Sequence, residues 1–153
     1  MSTSPIVRRS ARALLLDDQQ RLVLIKRTKQ GQSPYWTSPG GGIDDADATA
    51  EAALERELAE ELGATAAVGG RVLLISSPTS GGVSVQEVFI ARLRTLDEAA
   101  RTGEEWTDGR RGGYEVVHVP IHQVDTIDLK PAVLRGFVLD NVDALVAEAT
   151  DLA

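Results

Sequence analysis

Cysteine is missing from all 153 positions, which removes disulfides, thiolate zinc centres and cysteine nucleophiles together. Aromatic residues are scarce, two each of Trp, Tyr and Phe, so any ring beside a glycine-rich loop is noticeable. No apolar run reaches the roughly 18 residues that a membrane-spanning helix needs, and no membrane association is expected. The opening Met1-Ser2-Thr3-Ser4-Pro5 lacks the apolar core of a signal peptide, so the expected location is cytoplasmic. Basic charge is in deficit too: 16 Lys and Arg face 23 Asp and Glu, a net −7 at pH 7. Such a chain repels nucleic acid polymers unless a local patch opposes its field. The nearest patch, Arg8, Arg9 and Arg12, is short and has no aromatic neighbours, so no nucleic acid partner is expected. The same charge does admit a small anionic ligand, provided a cation stands between acidic protein and anion.

What is present reads as one globular domain over residues 1–153, with a core at about 6–130 and a C-terminal helix at about 131–149. Residues 6–16 and 22–25 read as a hairpin turned by Asp17-Asp18-Gln19-Gln20. Residues 28–49 hold four glycines and two prolines and read as a long loop, the kind that usually serves function. Good helix formers fill 50–62, with Asp47 or Thr49 placed to cap the start and Gly63 to stop it. Strands are expected near 71–76 and 83–93, separated by Ser76–Gly82, and again at 114–119, after a polar loop over 95–113. Pro131 opens a last helix whose apolar positions Leu134, Phe137, Val138, Val142 and Leu145 keep helical spacing. Strands, loop, helix, strands and helix in that order predict a mixed β-sheet between helices, an α/β fold.

The informative stretch joins Pro39-Gly40-Gly41-Gly42-Ile43 to Arg56-Glu57-Leu58-Ala59-Glu60-Glu61-Leu62-Gly63. Glu57, Glu60 and Glu61 share one helical face at i, i+3 and i+4. At about 100° per residue, Leu54, Leu58 and Leu62 form the buried stripe. On that wheel Glu61 falls at about −20°, Glu57 at about −60° and Glu60 at about −120° from Leu54. Glu61 therefore borders the stripe. A solvated acidic helix would lose only about 0.2–0.5 kcal/mol per like-charge pair. Partly shielded carboxylates about 5 Å apart repel by roughly 3 kcal/mol at an effective dielectric near 20. Arg56 alone does not cancel three charges. A hard divalent cation would, and Mg2+ suits because it takes few carboxylates and keeps waters and substrate phosphates. Three glycines before the helix let backbone approach a ligand closely, and Asp44, Asp45 and Asp47 follow them.

These residues resemble the Nudix hydrolase family, whose box runs G-x5-E-x7-R-E-U-x-E-E-x-G-U with U a bulky aliphatic. Arg56 to Gly63 matches its second half with Leu58 at the first U, and Trp36-Thr37-Ser38-Pro39-Gly40-Gly41 looks like its usual lead-in. Two positions depart. The first glutamate of the box falls on Ala48, with Asp47 one place earlier, and the last aliphatic is Ala64. The resemblance implies the α/β/α Nudix sandwich and an Mg2+-dependent pyrophosphohydrolase, with Mn2+ an alternative ion. Its substrate would be a nucleoside diphosphate derivative: an ordinary or oxidised (deoxy)nucleoside triphosphate, or else ADP-ribose, a sugar nucleotide or a dinucleoside polyphosphate. A non-catalytic nucleotide-sensing domain shares the fold. Isoprenoid diphosphate isomerisation does as well, but that chemistry uses a cysteine. By the same resemblance Glu57, Glu60 and Glu61 hold the metal, Gly41 and Gly42 shape its pocket, Arg56 orients a carboxylate, and Asp47 supports loop and helix.

A general base outside the box is sought at Glu87, which alternates with Val85, Phe89 and Ala91, and at Glu115; Glu104 and Glu105 are further loop candidates. Lys26 and Arg27 end the second strand near the expected pocket and are candidate phosphate ligands, as is Arg12. Tyr35 and Trp36 can stack on a base or support the loop. His118 and His122 read as structural or exposed, and Lys130-Pro131 reads only as a helix start. Pairing of two copies through a sheet edge or the last helix stays open.

Overall fold

The structure, a computed structural model, describes residues 3–102 and 112–152. Its strands in chain order are β1 (Ile6–Leu16), β2 (Arg21–Thr28), β3 (Tyr35–Thr37), β4 (Gly40–Gly42), β5 (Ala64–Thr79), β6 (Gly82–Leu96), β7 (Gly113–Pro120) and β8 (Leu129–Lys130). The helices are α1 (Ala50–Leu62), α2 (Ala132–Asp140) and α3 (Val142–Thr150). The sheet is mixed, in the order β5-β6-β1-β2-β3-β8, with β4 added to β1 and β7 to β2. β1 and β6 run parallel and β5 and β6 antiparallel.

The first hairpin forms where expected. The Asp17 carboxylate accepts the backbone N–H groups of Gln19 and Arg21 at 2.9 and 3.0 Å, and Leu16 faces Leu22 across the turn. Beyond that pair the strands change partners. β1 takes β4 at Ser10–Arg12, while β2 takes β3 at Ile25–Arg27. The split between β1 and β2 is where the site described below opens. Crevices at such switches of strand pairing are common ligand positions in open α/β sheets.

Side chains alternate across the sheet, and both faces are covered. On one face, Leu54, Leu58 and Leu62 of α1 are fully buried against Ala13, Leu15, Val23, Ile25, Phe89 and Ala91. On the other, α2, α3 and a 3-10 helix at Ile121–Thr126 pack on Leu14, Leu16, Leu22, Leu24, Val88 and Ile90. Leu58→Ala would cost about 2–5 kcal/mol at such a site. α1 begins as predicted, with the Thr49 hydroxyl accepting the Ala52 N–H at 3.0 Å, and stops at Gly63 in the left-handed region, φ 65°.

Four boundaries differ from the sequence reading. The loop over 28–49 contains the short strands β3 and β4. β5 starts at Ala64, not near 71, because its ladder with β6 absorbs register shifts around Gly69 and Gly70. The break expected over 76–82 shrinks to a two-residue turn with Thr79 opposite Gly82 and Gly81 at φ 84°. The single C-terminal helix is two: the Asn141 side chain donates to the Phe137 carbonyl at 2.8 Å, and the backbone leaves helical geometry there at φ −133°.

Candidate functional site

A cleft of about 730 Å3 opens in the split between β1 and β2. Its lining holds Gly40, Gly41, Gly42, Glu57 and Glu61 together with Arg8, Arg12, Arg27, Tyr114 and Lys130, and with Ile25, Thr37, Ser38, Gln86 and Pro131.

The glycine turn is pinned to β1 by the pairs Ala11–Gly41 and Arg12–Gly40. Gly40 sits at φ 142°, and a Cβ there would strike the Ala11 carbonyl. A Cβ on Gly41 would fall on the Glu57 carboxylate. Both positions therefore require glycine, the first for the backbone path and the second for the carboxylate beside it. Arg12 braces the turn from below by donating to the Ser38 and Gly40 carbonyls at 3.3 and 3.2 Å. Burial pulls its guanidinium below the ordinary value, while nearby Glu61 acts to raise it. The Gly40 N–H in turn donates to Glu61 Oε1 at 3.3 Å.

Among the α1 carboxylates, the one at the widest helical angle is turned away from the cleft. Glu61 and Glu57 face the cleft, and the Glu57 side chain is 18% exposed; Glu60, at the widest angle, is 43% exposed and does not line it. Arg56 knits them to the loop. It donates to both Asp47 oxygens at 3.1 and 2.9 Å, to Glu57 at 3.0 Å, to Glu60 at 3.5 Å and to the Gly42 carbonyl at 3.1 Å. Arg56 holds the Asp47 carboxyl below the ordinary range, and Asp47 chiefly holds Arg56 in its charged form. Asp47 also accepts the Asp44 N–H at 2.8 Å. The displaced acid of the box thus ties loop to helix through Arg56, a pairing not foreseen from spacing.

Among the described residues no three acidic or histidine side chains converge into a ready-made metal cage. Glu57 and Glu60 are both engaged by Arg56. The donor chemistry nonetheless fits a hard cation: Glu57 and Glu61 bring carboxylate oxygens to the cleft beside a turn that lacks side chains. Mg2+ needs only one or two carboxylates when substrate phosphates and water complete its shell.

Other expected site residues sit elsewhere. Lys26 alternates onto the opposite face from Arg27, its ammonium 5.6 Å from the centre of the Trp36 ring. Trp36 packs on the α2/α3 core, and neither residue lines the cleft. Glu115 is exposed and pairs across β7 with Lys26, on the face away from Tyr114. Glu87 is bound by Arg71 at 3.0 Å outside the cleft lining. Glu104 and Glu105 lie outside the described residues. His118 bonds Asp17 at 2.7 Å, and His122 is exposed. Sequence reasoning missed Arg8, Tyr114 and Lys130. The signal for Tyr114 was its alternation with Val116; Lys130 and Arg8 reach the cleft only through tertiary folding.

Fold and helix motif together define an α/β/α domain of the Nudix type. The chain belongs to that family: the NUDIX domain matches residues 7–135. A protein of Bacillus subtilis (strain 168) with the provisional name 8-oxo-dGTP diphosphatase is 34% identical over 65 residues, 42% of this chain and 41% of that protein's length. A MutT protein from Methanosarcina mazei Go1 superposes with a TM-score of 0.65 at 18% identity, over 94% of this chain and 96% of its own. A NUDIX hydrolase from Nitrosomonas europaea does so at 0.65 and 13% identity, over 93% and 90%. These two likenesses are of fold. Among the described residues no helix is long and apolar enough to cross a membrane.

Proposed function

We propose that this protein is a divalent-metal-dependent pyrophosphohydrolase that cleaves a phosphoanhydride in a nucleoside diphosphate derivative, and that its substrate is a nucleoside triphosphate, ordinary or oxidised. The observation that carries the reading is that one cleft brings together two carboxylates, Glu57 and Glu61, a glycine turn, and the cationic groups of Arg8, Arg12, Arg27 and Lys130. A phosphoanhydride there would have its charge met by the basic groups and by a cation held on the carboxylates. The provisional name of the Bacillus relative supports a purine triphosphate; it matches only part of either chain.

Glu57 and Glu61 would hold the cation, with Glu60 at the outer margin. When bound, Mg2+ or Mn2+ supplies charge neutralisation of the phosphate oxygens and a more acidic water. The chain supplies the rest. Arg56 fixes the Glu57 rotamer and the loop together. Gly41 leaves room beside that carboxylate, and Arg12 keeps the turn in place. Arg27 and Lys130 draw phosphate oxygens into the cleft. Water attacks one phosphorus in line, the P–O–P bridge breaks, and a nucleoside monophosphate leaves with pyrophosphate.

Glu61→Gln tests this. The variant should keep the wild-type melting curve and lose Mg2+-dependent pyrophosphate release by about 100- to 1,000-fold, as for removal of a preorganised electrostatic group. Unchanged turnover would end the assignment.

A further inference from the structure

Arg12 lines the cleft, yet its hydrogen bonds run into the glycine turn. Three successive carbonyls of that turn are held from β1. Arg12 Nη1 donates to the Ser38 and Gly40 carbonyls at 3.3 and 3.2 Å, and the Ala13 N–H donates to the Pro39 carbonyl between them at 2.9 Å. The middle peptide, Pro39–Gly40, is the one whose N–H donates to Glu61 Oε1 at 3.3 Å. Its carbonyl is turned to β1 and its N–H to α1, the opposed directions of a trans peptide. The turn has little of its own to fix that orientation. Gly40 sits at φ 142° and carries no side chain to pack, and Gly41 and Gly42 follow it. Glycine has the widest choice of backbone states and loses the most entropy on ordering. A peptide rotates in place only when its neighbours counter-rotate. Arg12 holds the neighbour on each side, Ser38–Pro39 and Gly40–Gly41, through one nitrogen.

We propose that Arg12 is a positioning residue for Glu61: by clamping the peptides on either side of Pro39–Gly40 it keeps the Gly40 N–H on the carboxylate, and so strengthens the cleft's hold on a divalent cation. This deepens the proposed hydrolase reading, on which its metal step rests. A carboxylate fixed by a hydrogen bond presents itself to a cation at a smaller ordering cost, and such outer partners set metal affinity strongly. The positive charge of Arg12 acts in the opposite sense, since charge alone repels a cation. The direction in which metal affinity moves on removing Arg12 therefore separates positioning from plain charge. A phosphate ligand at this position would instead lose anion affinity and leave metal affinity alone.

Three measurements on the full chain test this. Amide hydrogen exchange followed by NMR without metal reads the turn itself. In Arg12→Met the Gly40 N–H should exchange at least about tenfold faster than in the wild type, with amides of the β1–β6 ladder within about twofold. Calorimetry with Mn2+ reads the carboxylate, and Arg12→Met should bind the ion about 10- to 100-fold more weakly. Arg12→Lys, whose one nitrogen can serve both carbonyls as Nη1 does, should return Mn2+ affinity to within about threefold of the wild type. Metal-free pyrophosphate binding to Arg12→Met should weaken by less than about fivefold, short of the roughly tenfold or more that a lost charged contact costs. Arg12→Gln carries the same expectations where Arg12→Met does not fold. Unchanged or tighter Mn2+ binding in a folded variant overturns the inference, and so does a loss of pyrophosphate affinity larger than the loss of Mn2+ affinity. If the wild type binds Mn2+ and releases pyrophosphate from nucleotides while Arg12→Met binds the ion equally well, the inference alone falls. If the wild type binds no Mn2+, the hydrolase reading falls with the metal step, and Gly40 exchange decides the clamp by itself.

Discussion

Two clusters of ion pairs on this molecule differ in their balance. At the β1–β2 turn, one carboxylate, Asp17, is met by the Arg21 side chain at 2.8 Å, by His118 at 2.7 Å and by two backbone N–H groups. Its side chain is 5% exposed and both oxygens are satisfied. At the cleft, one guanidinium, Arg56, is shared by Asp44, Asp47, Glu57 and Glu60. Glu61 adds another carboxylate beside them. The first cluster is closed and needs nothing further. The second divides one arginine among four carboxylates, with the Arg12 guanidinium near Glu61, and it borders an open cleft where a divalent cation would join them. Acid–base balance within a cluster therefore separates a structural tie from a place prepared for a ligand.

The largest effect should come from removing the single arginine of the unbalanced cluster. Arg56→Ala strips Asp47, Glu57 and the Gly42 carbonyl of one shared partner. We expect turnover to fall about 100- to 1,000-fold and Tm to drop on the order of 5 °C. Mg2+ should then raise Tm more in the variant than in the wild type, because the uncompensated carboxylates favour the ion by mass action. Thermal melts with and without Mg2+ decide this; an equal Mg2+ response in both proteins would show that charge deficit does not govern the cluster. Arg56→Lys should recover little, since an ammonium cannot serve Asp47 in two bonds while reaching Glu57 and Gly42.

A finer contrast lies between adjacent glycines. Gly40→Ala drives a methyl into the Ala11 carbonyl at φ 142° and should cost roughly 2–3 kcal/mol of stability. Gly41→Ala meets only the Glu57 carboxylate. Displacing that group by about an ångström should reduce turnover some ten- to a hundredfold while stability changes by under about 1 kcal/mol. Urea unfolding and pyrophosphate release measured on both variants separate backbone need from site need. Loss of stability in both would merge the two roles.

Much of this was legible in the sequence, for reasons that can be named. α1 could be read because cap, leucine stripe and stop all lie within 15 residues (Thr49–Gly63), and the greater exposure of Glu60 than of Glu57 followed from angle alone. The Arg27 side of β2 could not be chosen over the Lys26 side. Leu22 and Leu24 are as fully buried as Val23, so alternation carried no mark of which face held the cleft. Lys130 reads as a helix start because Pro131 follows it; its partners in space, Thr37 and Tyr35, come from β3, more than 90 residues earlier in the chain. Glu87 does sit on the α1 face as its spacing implied, but Arg71 claims it there. The break at Asn141 hides inside a continuous apolar period, because one side-chain hydrogen bond is enough to end a helix and leaves the pattern unchanged.

The smallest effect, and the sharpest check on the closed cluster, concerns pH. Burial acts to raise the Asp17 carboxyl, yet its hydrogen bonds from His118, Arg21 and Gln19 outweigh this and hold it below the ordinary aspartate value of 3.8. A carboxyl lowered on folding contributes stability that is fully present above its unfolded value and is lost as pH falls through its folded value. The window is therefore below about pH 4. Asp17→Asn should lower Tm by roughly 2–4 °C at neutral pH and leave turnover within about twofold, since Asp17 lies outside the cleft lining. On acidification below about pH 4 the wild-type Tm should fall more steeply than that of the variant, so the two curves converge. Asp47 is also lowered, chiefly by its hydrogen bonds from Arg56, but it is present in both proteins and cancels from the comparison. Curves that stay parallel down to about pH 3 would mean that Asp17 is held no more tightly in the folded chain than in the unfolded one. The balanced cluster would then be a crystal-clear geometry without an energetic counterpart, and balance alone would no longer distinguish it from the cleft.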